Sequence, residues 1–162
     1  MKPTIPTLNL FTVILALHFL AGCSSNKATL ELNKKIVREY AEREDAGKTD
    51  FVEKYVNSDF VFHYPNGAEF TGIENLKKAA AELKAAFPDL KHQIHDMIAE
   101  GDMVATRYTI TGTHKGEYNG VAPTGKILKF TAIDIGRIKD GKIIEAWIEF
   151  DPKAFNEILT SE

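Results

Sequence analysis

Two pairs of alternating apolar and polar runs constrain the fold of this chain most strongly. Residues 126–138 and 142–150 flank the turn Lys139-Asp140-Gly141, and residues 90–99 and 103–114 flank a second Gly-containing turn further upstream. Period-two alternation on both sides of a short Gly-containing turn is typical of a β-hairpin. The C-terminal half is therefore predicted to form two antiparallel hairpins.

The register of the last hairpin decides which side chains share a face. A two-residue Asp-Gly loop would pair Lys139 with Lys142, whereas a three-residue loop would pair Ile138 with Lys142, and the two registers expose opposite faces. The hydrophobic pattern favours the three-residue loop, because that loop collects ten even-numbered residues on one face. These are Leu128, Phe130, Ala132, Asp134, Gly136, Ile138, Ile144, Ala146, Ile148 and Phe150. Asp134 is the single polar exception on this predicted face.

Helical patterns come before these strands. Apolar spacing and breaker residues predict helices over 30–41, 52–56 and 73–87, with a short strand over 60–64. A last short helix is predicted after the hairpins, over 152–159. Thr71-Gly72-Ile73-Glu74 resembles a capping box at the start of the third helix. Helices followed by antiparallel strands predict an α+β fold. We expect a strongly curved antiparallel sheet, wrapped around the N-terminal helices as a cone with an open mouth.

The N-terminus has the pattern of an export signal. Lys2 is followed by an almost purely apolar run over 8–20, which is short for a spanning helix. The run ends in Leu20-Ala21-Gly22-Cys23, which looks like the lipobox of bacterial lipoproteins. An ordinary signal peptide with a chance cysteine is the alternative, but Cys23 is the only cysteine. The predicted domains are a removed signal peptide at 1–22, a lipidated Cys23 and tether at 23–28, and one folded domain at 29–162.

The processed chain is accordingly predicted to be a membrane-anchored lipoprotein outside the cytoplasm. If the cell has two membranes, the absence of Asp at position 24 resembles the pattern for sorting to the outer membrane, facing the periplasm. The chain has 20 Lys and Arg against 23 Asp and Glu. No basic cluster suggests nucleic acid as a partner.

Five motifs in order resemble one known family. They are Phe87-Pro88-Asp89-Leu90, Ile98-Ala99-Glu100-Gly101-Asp102, Thr111-Gly112-Thr113-His114-Lys115-Gly116-Glu117, Pro123-Thr124-Gly125 and Asp140-Gly141-Lys142-Ile143. Together they are similar to the SnoaL-like polyketide cyclases, also called ester cyclases, from about Leu30 to Phe150. The resemblance implies the cone-shaped fold shared with nuclear transport factor two and ketosteroid isomerase. It also implies homodimers and an intramolecular aldol ring closure that needs no cofactor or metal, with an Asp as acid/base in an apolar pocket.

The sequence departs from the family at the position of that Asp. When the chain is aligned with the family through Asp140-Gly141-Lys142-Ile143, the family's acid/base Asp falls on Ile148. Ala146 occupies a position where the family often has His. Glu149 is adjacent, but strand alternation points it to the opposite face. Asp134 matches a polar pocket position of the family. The pocket frame is therefore retained, whereas the known acid/base is not.

Asp134 is the foremost candidate catalytic residue. A carboxyl group among Leu, Phe, Ala and Ile side chains loses hydration, so its pKa should rise into the range of a general acid or base. The alternative is a structural Asp that is paired with Arg107, a hydroxyl or a backbone amide. His63 is the second candidate, because a strand-end His near the cone mouth could orient a substrate.

The remaining predictions concern the pocket and the other histidines. The predicted wall of the ligand pocket consists of Phe60, Tyr108, Phe130, Ala146 and Ile148. His92 and His95 invite a metal site, but their spacing on a strand places them on opposite faces, so no shared metal is expected. His114 is expected to be structural.

Three functions remain open from the sequence. The first is cofactor-free acid/base chemistry on a small apolar carbonyl compound, by cyclisation, isomerisation or hydrolysis. The second is a non-catalytic lipoprotein that binds a small apolar molecule, which Ile148 favours. The third is an interaction role in which the outer sheet face around Trp147 forms a homodimer contact.

Overall fold

The computed structural model describes the backbone of residues 10–48, 50 and 52–160, and side chains from Asn26 onward within those ranges. That part of the chain forms four helices and six strands. In chain order they are α1 (Leu10–Asp45), α2 (Val52–Tyr55), β1 (Val56–His63), β2 (Glu69–Thr71), α3 (Ile73–Ala86), β3 (Lys91–Glu100), β4 (Met103–Thr113), β5 (Ile127–Lys139), β6 (Lys142–Glu149) and α4 (Pro152–Thr160). The predicted α+β class and the two C-terminal hairpins are confirmed.

The six strands form one curved sheet in the order β2-β1-β6-β5-β4-β3. Four neighbouring pairs are antiparallel, whereas β1 and β6 are parallel. The prediction of a wholly antiparallel sheet is therefore wrong at this one junction. The reason is topological: β1 precedes the hairpins in sequence and enters the sheet beside the last strand, so no local turn fixes its direction.

The β5–β6 hairpin has the turn that the sequence analysis rejected. Lys139 pairs with Lys142 across a two-residue loop, and both Asp140 (φ 51°) and Gly141 (φ 75°) are left-handed, as a type I′ turn requires. A bulge then shifts the register between Arg137 and Ile138. This shift places even-numbered residues of the two strands opposite one another, as predicted, although each lies two positions from its predicted partner.

The effect of the bulge is confined to the tip of the hairpin. Beyond it, Gly136 pairs with Ala146 and Asp134 pairs with Ile148, so the predicted face is correct there. Near the turn Ile143, rather than the predicted Lys142, pairs with Ile138, and Ile143 rather than Ile144 is buried there. Because a β-bulge inserts one extra residue in one strand, a hairpin with a two-residue turn can still place the even-numbered residues on the predicted face.

Helix α3 begins differently from the prediction. Its N-cap is Gly72, with φ 86°, and no side chain caps the first turn, so the predicted capping box does not form. The left-handed φ explains why Gly is suited to this position. The helix ends as predicted before Pro88, with the Phe87 N–H donating to the Leu83 carbonyl at 2.8 Å.

The helices pack on the concave face of the sheet and form two buried clusters. One cluster lies under α1 and α2 and includes Ile36, Val52 and Phe60. The other lies under α4 and includes Leu128 and Phe155. The space between the two clusters is the candidate site.

The backbone of helix α1 continues through position 23, but no side chain before Asn26 is described. The side chains of the predicted signal peptide and of Cys23 therefore lie outside the described part of the chain. In the part of the chain that the structure describes, no helix is both long and apolar enough to cross a membrane.

Candidate active site

The concave side of the sheet encloses a cavity of about 560 Å³. Its wall is largely apolar and aromatic, with contributions from β1, β4, β5 and β6 on one side and α1, α3 and α4 on the other. Three exposed amides lie at its rim: Asn66 in the β1–β2 turn, Asn119 in the β4–β5 loop and Asn156 on α4. Such a space can hold a small hydrophobic molecule with polar groups at one edge.

The structure brings the predicted pocket residues to this one cavity. Its wall includes Phe60, Tyr108, Phe130, Ala146 and Ile148, together with Asp134. Strand alternation explains the grouping, because Asp134 pairs with Ile148 and Gly136 pairs with Ala146 across β5 and β6. What the cavity binds stays a prediction.

Asp134 is the carboxyl group at the centre of the sheet's concave face. It lines the cavity, and its Oδ1 is buried without a hydrogen-bond partner among the described residues. Burial raises the pKa of the Asp134 carboxyl to about 7, although a hydrogen bond with Tyr108 and the charge of His92 act to lower it. A carboxyl group with this pKa can both accept and return a proton near neutral pH.

Arg107 does not contact Asp134. In the register of β4 with β5, Thr106 is opposite Asp134 and Arg107 is opposite Ile133, so the Arg107 side chain lies on the outer face. There its Nε donates to Asp96 Oδ2 at 2.8 Å. The alternative in which Arg107 pairs with Asp134 is therefore wrong, because the two side chains point to opposite sides of the sheet.

His63 also lies outside the cavity. Phe62 lines the cavity and pairs with Ala146, so alternation turns His63 to the outer face, opposite Trp147. The imidazole stacks on Trp147 at 5.1 Å between ring centroids, and its Nε2 lies 3.0 Å from Glu145 Oε1. The prediction that His63 orients a substrate in the cone mouth is wrong.

His92 and His95 lie on opposite faces, as predicted. The His95 Nε2 lies 2.8 Å from the Thr109 hydroxyl on the outer side, whereas His92 lines the cavity. His114 is fully buried away from the cavity, where its Nδ1 lies 3.0 Å from Thr124 Oγ1 and its ring stacks on Phe87. No group of three or more potential metal ligands occurs among the described residues.

A second polar group in the cavity was not predicted from the sequence. His92 and Glu44 both line it, and Asp45 Oδ1 is 2.7 Å from His92 Nδ1. Burial raises the pKa of the Glu44 carboxyl, against the opposing charges of His92 and Lys84. One signal was available, since Glu44 follows Tyr40 by four residues and therefore continues the apolar stripe of α1.

The family's acid/base position is apolar in the folded chain. Ile148 lies on the cavity wall and packs against the cluster around Leu128 and Phe155, whereas Glu149 is exposed and pairs with Ile133 on the other face. Glu149 therefore cannot replace the missing Asp from the adjacent position. The acidic groups and the imidazole of this cavity are instead supplied by Asp134 on β5, His92 on β3, Glu44 on α1 and Glu82 on α3.

Comparison with known proteins identifies the family. The model of the family "SnoaL-like polyketide cyclase" matches residues 34–155. The chain belongs to the SnoaL-like polyketide cyclase family. Among similar proteins, the aklanonic acid methyl ester cyclase AcmA of Streptomyces galilaeus is 32% identical over 111 residues, which cover 66% of this chain and 76% of AcmA. The cyclase of the same designation from Streptomyces peucetius, DnrD, is 31% identical over 114 residues, covering 67% of this chain and 77% of DnrD.

Solved structures of SnoaL-like proteins have the same fold. A protein of Jannaschia sp. CCS1, described as a SnoaL-like polyketide cyclase, superposes with a TM-score of 0.76 at 21% identity, covering 82% of this chain and 94% of that one. IdmH of Streptomyces antibioticus, assigned as a polyketide cyclase, superposes with a TM-score of 0.69 at 27% identity, covering 78% and 97%. The predicted resemblance and the cone-shaped fold are thus confirmed.

Proposed function

We propose that this SnoaL-like protein binds a small hydrophobic carbonyl compound and catalyses proton transfer next to its carbonyl group, as a cofactor-independent cyclase or isomerase. The observation that carries the proposal is the Asp134 carboxyl group, with a buried oxygen that lacks a partner among the described residues, in the wall of an apolar cavity. Its pKa of about 7 suits a group that takes a proton and returns it.

Asp134 would act first as a base. Its carboxylate removes a proton from the carbon beside the carbonyl, and the C–H electron pair moves into an enolate. In a cyclase the enolate carbon then attacks a second carbonyl of the same molecule, and the new alkoxide takes the proton back from Asp134. Atoms and charge balance, and the cavity contributes by holding the two carbons in contact.

The proposal can be tested by hydrogen exchange in D2O. A panel of hydrophobic carbonyl compounds should include aklanonic acid methyl ester, because the relatives AcmA and DnrD are named as cyclases of this compound. The wild-type protein should accelerate exchange of the protons next to the carbonyl of at least one compound, and Asp134→Asn should lower that rate about 100-fold or more. Asp96→Asn, on the outer face, is the matched control and should leave it unchanged.

The second candidate is a lipoprotein that binds such a compound without converting it. Ile148 at the family's acid/base position favours it. The same experiment separates the two, because a binder retains a compound through native purification while neither the wild-type protein nor Asp134→Asn accelerates exchange. Equal exchange rates for the wild-type protein and Asp134→Asn would contradict a catalytic Asp134.

We also propose that the chain is anchored by lipid on Cys23 outside the cytoplasm. The sequence Leu20-Ala21-Gly22-Cys23 after an apolar run supports this. The family match begins at residue 34 and the residues of the cavity wall begin at Val37, so removal of residues 1–22 leaves the site complete.

The outer face around Trp147 is the surface that we propose for a homodimer. Trp147 is partly buried between the stacked His63 ring and the Arg137 guanidinium, which lies 5.7 Å from the indole centroid. Ile133 on the same face is 43% exposed. Sedimentation velocity should show a dimer that Ile133→Glu converts to a monomer, and a wild-type monomer at all concentrations would contradict this.

A further inference from the structure

Asp45 holds His92 through both the backbone and the ring. The backbone N–H of His92 lies 3.1 Å from each Asp45 carboxylate oxygen, and the ring Nδ1 lies 2.7 Å from Oδ1. Both side chains are nearly enclosed, with exposed fractions of 10% for His92 and 13% for Asp45. These contacts join the end of α1 to the start of β3 and fix the orientation of the imidazole.

The other ring nitrogen of His92 remains available to the cavity. His92 lines the cavity, and its hydrogen bonds with described residues all involve the backbone N–H or Nδ1, so Nε2 has no partner among them. An acceptor at Nδ1 fixes the proton on that nitrogen when the ring is neutral. When the ring is protonated, Nε2 also carries a proton that it can donate into the cavity.

The sheet places this nitrogen on the same face as Asp134. Tyr108 is diagonal to His92 across β3 and β4, and diagonal to Asp134 across β4 and β5. The His92 and Tyr108 rings meet edge to face, 5.4 Å apart. His92, Tyr108 and Asp134 therefore form a row across the concave face.

The charges around His92 favour the imidazolium. Asp45 and Glu44 face it from α1 and Asp134 faces it from β5, while Lys84 on α3 interacts with Glu44 and donates to the Asp45 backbone carbonyl at 2.9 Å. Burial acts to lower the pKa of the imidazole, but Asp45, Glu44 and Asp134 together raise it. A cationic donor in an apolar cavity is a strong partner for a developing negative charge.

We propose that His92, oriented by Asp45, is a second catalytic residue of this cavity and donates the Nε2 proton to the carbonyl oxygen of the substrate. This inference rests on the proposed proton transfer at Asp134. As Asp134 removes the carbon proton, the electron pair moves to the carbonyl oxygen, which takes the Nε2 proton and becomes an enol. When the enol carbon forms its new bond, the hydroxyl proton returns to Nε2. Asp45 acts as a positioning residue.

The test uses 4-nitrophenol, whose ionised form places a negative oxygen on a flat apolar ring as an enolate does. The wild-type protein should bind the phenolate, followed by its visible absorbance. His92→Gln should weaken this binding about 10- to 100-fold, as expected for loss of one charge-assisted hydrogen bond. The variant retains the backbone N–H that bonds to Asp45, and circular dichroism checks its fold. His95→Gln, on the outer face of the same strand, is the matched control and should bind as the wild type does.

A second measurement needs no variant of His92. In protein labelled with ¹⁵N-histidine, addition of 4-nitrophenol should shift the Nε2 resonance of His92, whereas a purely structural imidazole would not respond. Asp45→Asn should reduce both the shift and the affinity.

The outcomes separate this inference from the proposed function. Asp134→Asn should retain phenolate binding, because His92 and its contacts with Asp45 stay in place, although it lowers the exchange rate about 100-fold or more. Failure of the wild-type protein to bind the phenolate, or equal binding by His92→Gln, would overturn the role of His92 and leave the exchange test of Asp134 unaffected. Normal exchange by Asp134→Asn would instead overturn the proposed function.

Discussion

At the level of single residues, burial of the Asp134 carboxyl group lowers the stability of the folded chain when the group is ionised, and the same burial lets the group exchange a proton near neutral pH. A buried carboxyl group is more stable when neutral, so its pKa rises to about 7 from the usual 3.8. Thr106, directly opposite on β4, also has a buried hydroxyl without a partner among the described residues. Two neighbouring buried polar atoms without partners are unusual in a folded interior, and the proposed function of Asp134 accounts for one of them.

The stability of Asp134→Asn should depend on pH in a defined way. Between about pH 4 and 7 the folded chain keeps the Asp134 proton that the unfolded chain has lost, so the free energy of unfolding falls as pH rises and levels off above about 7. The Asn variant lacks this loss. The difference in free energy of unfolding between the Asn variant and the wild type should therefore change by about 4 kcal/mol in favour of the variant between pH 4 and 7. This energy corresponds to the rise of the Asp134 pKa from 3.8 to about 7. Urea titrations at several pH values measure it, and parallel curves for the two proteins would show that Asp134 is not desolvated.

At the scale of secondary-structure elements, local patterns identified most of the fold. Alternation found β3 to β6, and helical spacing found α3 and α4, because each signal lies within about 15 residues. The short strand β2 and the parallel pairing of β1 with β6 were missed. Both depend on contacts between distant parts of the chain, such as the pairing of Phe62 with Ala146.

The residues of the candidate site also fall into those that local sequence patterns reveal and those that depend on contacts between distant parts of the chain. Asp134 could be found from β5 and β6 alone, because it interrupts an apolar face within one hairpin. The pair of Asp45 and His92 could not, since its members are 47 positions apart and meet only when α1 packs on β3. His63 was misplaced because the phase of β1 depends on that strand's distant partner β6, not on its own sequence.

The β5–β6 turn gives a direct test at this scale. Gly141 has φ 75°, and an added Cβ would meet no atom within 4 Å, so Gly141→Ala tests backbone strain without a clash. The substitution should lower the free energy of unfolding by about 1–2 kcal/mol. Asp140→Asn is the matched control, because Asn also tolerates the left-handed φ of 51° found there, and it should change stability by less than about 0.5 kcal/mol. A neutral Gly141→Ala would contradict the left-handed conformation of Gly141.

At the scale of the whole molecule, the proposed lipid anchor and the cavity are independent parts of one chain. The residues that form the cavity begin at Val37, well after the cysteine at position 23. Anchoring would fix where the protein acts and would leave the chemistry of the concave face unchanged.

The anchor can be tested by fractionation. Cys23→Ala should remove the acyl mass from the processed chain and release the protein from membranes without detergent, because the thiol is the proposed site of lipidation. Cys23→Ser retains the size of the side chain and should behave like Cys23→Ala. A Cys23→Ala protein that stays with the membrane fraction, together with a wild-type chain without acyl mass, would contradict the lipoprotein proposal.

The proposed chemistry of the cavity depends on Asp134 exchanging a proton near neutral pH. The most direct measurement is the pH titration of the Asp134 carboxyl carbon by ¹³C NMR, with the resonance assigned by its absence in Asp134→Asn. We expect a midpoint at a pH of about 7 in the folded protein. A midpoint below about 5, close to the ordinary value of an Asp, would contradict it.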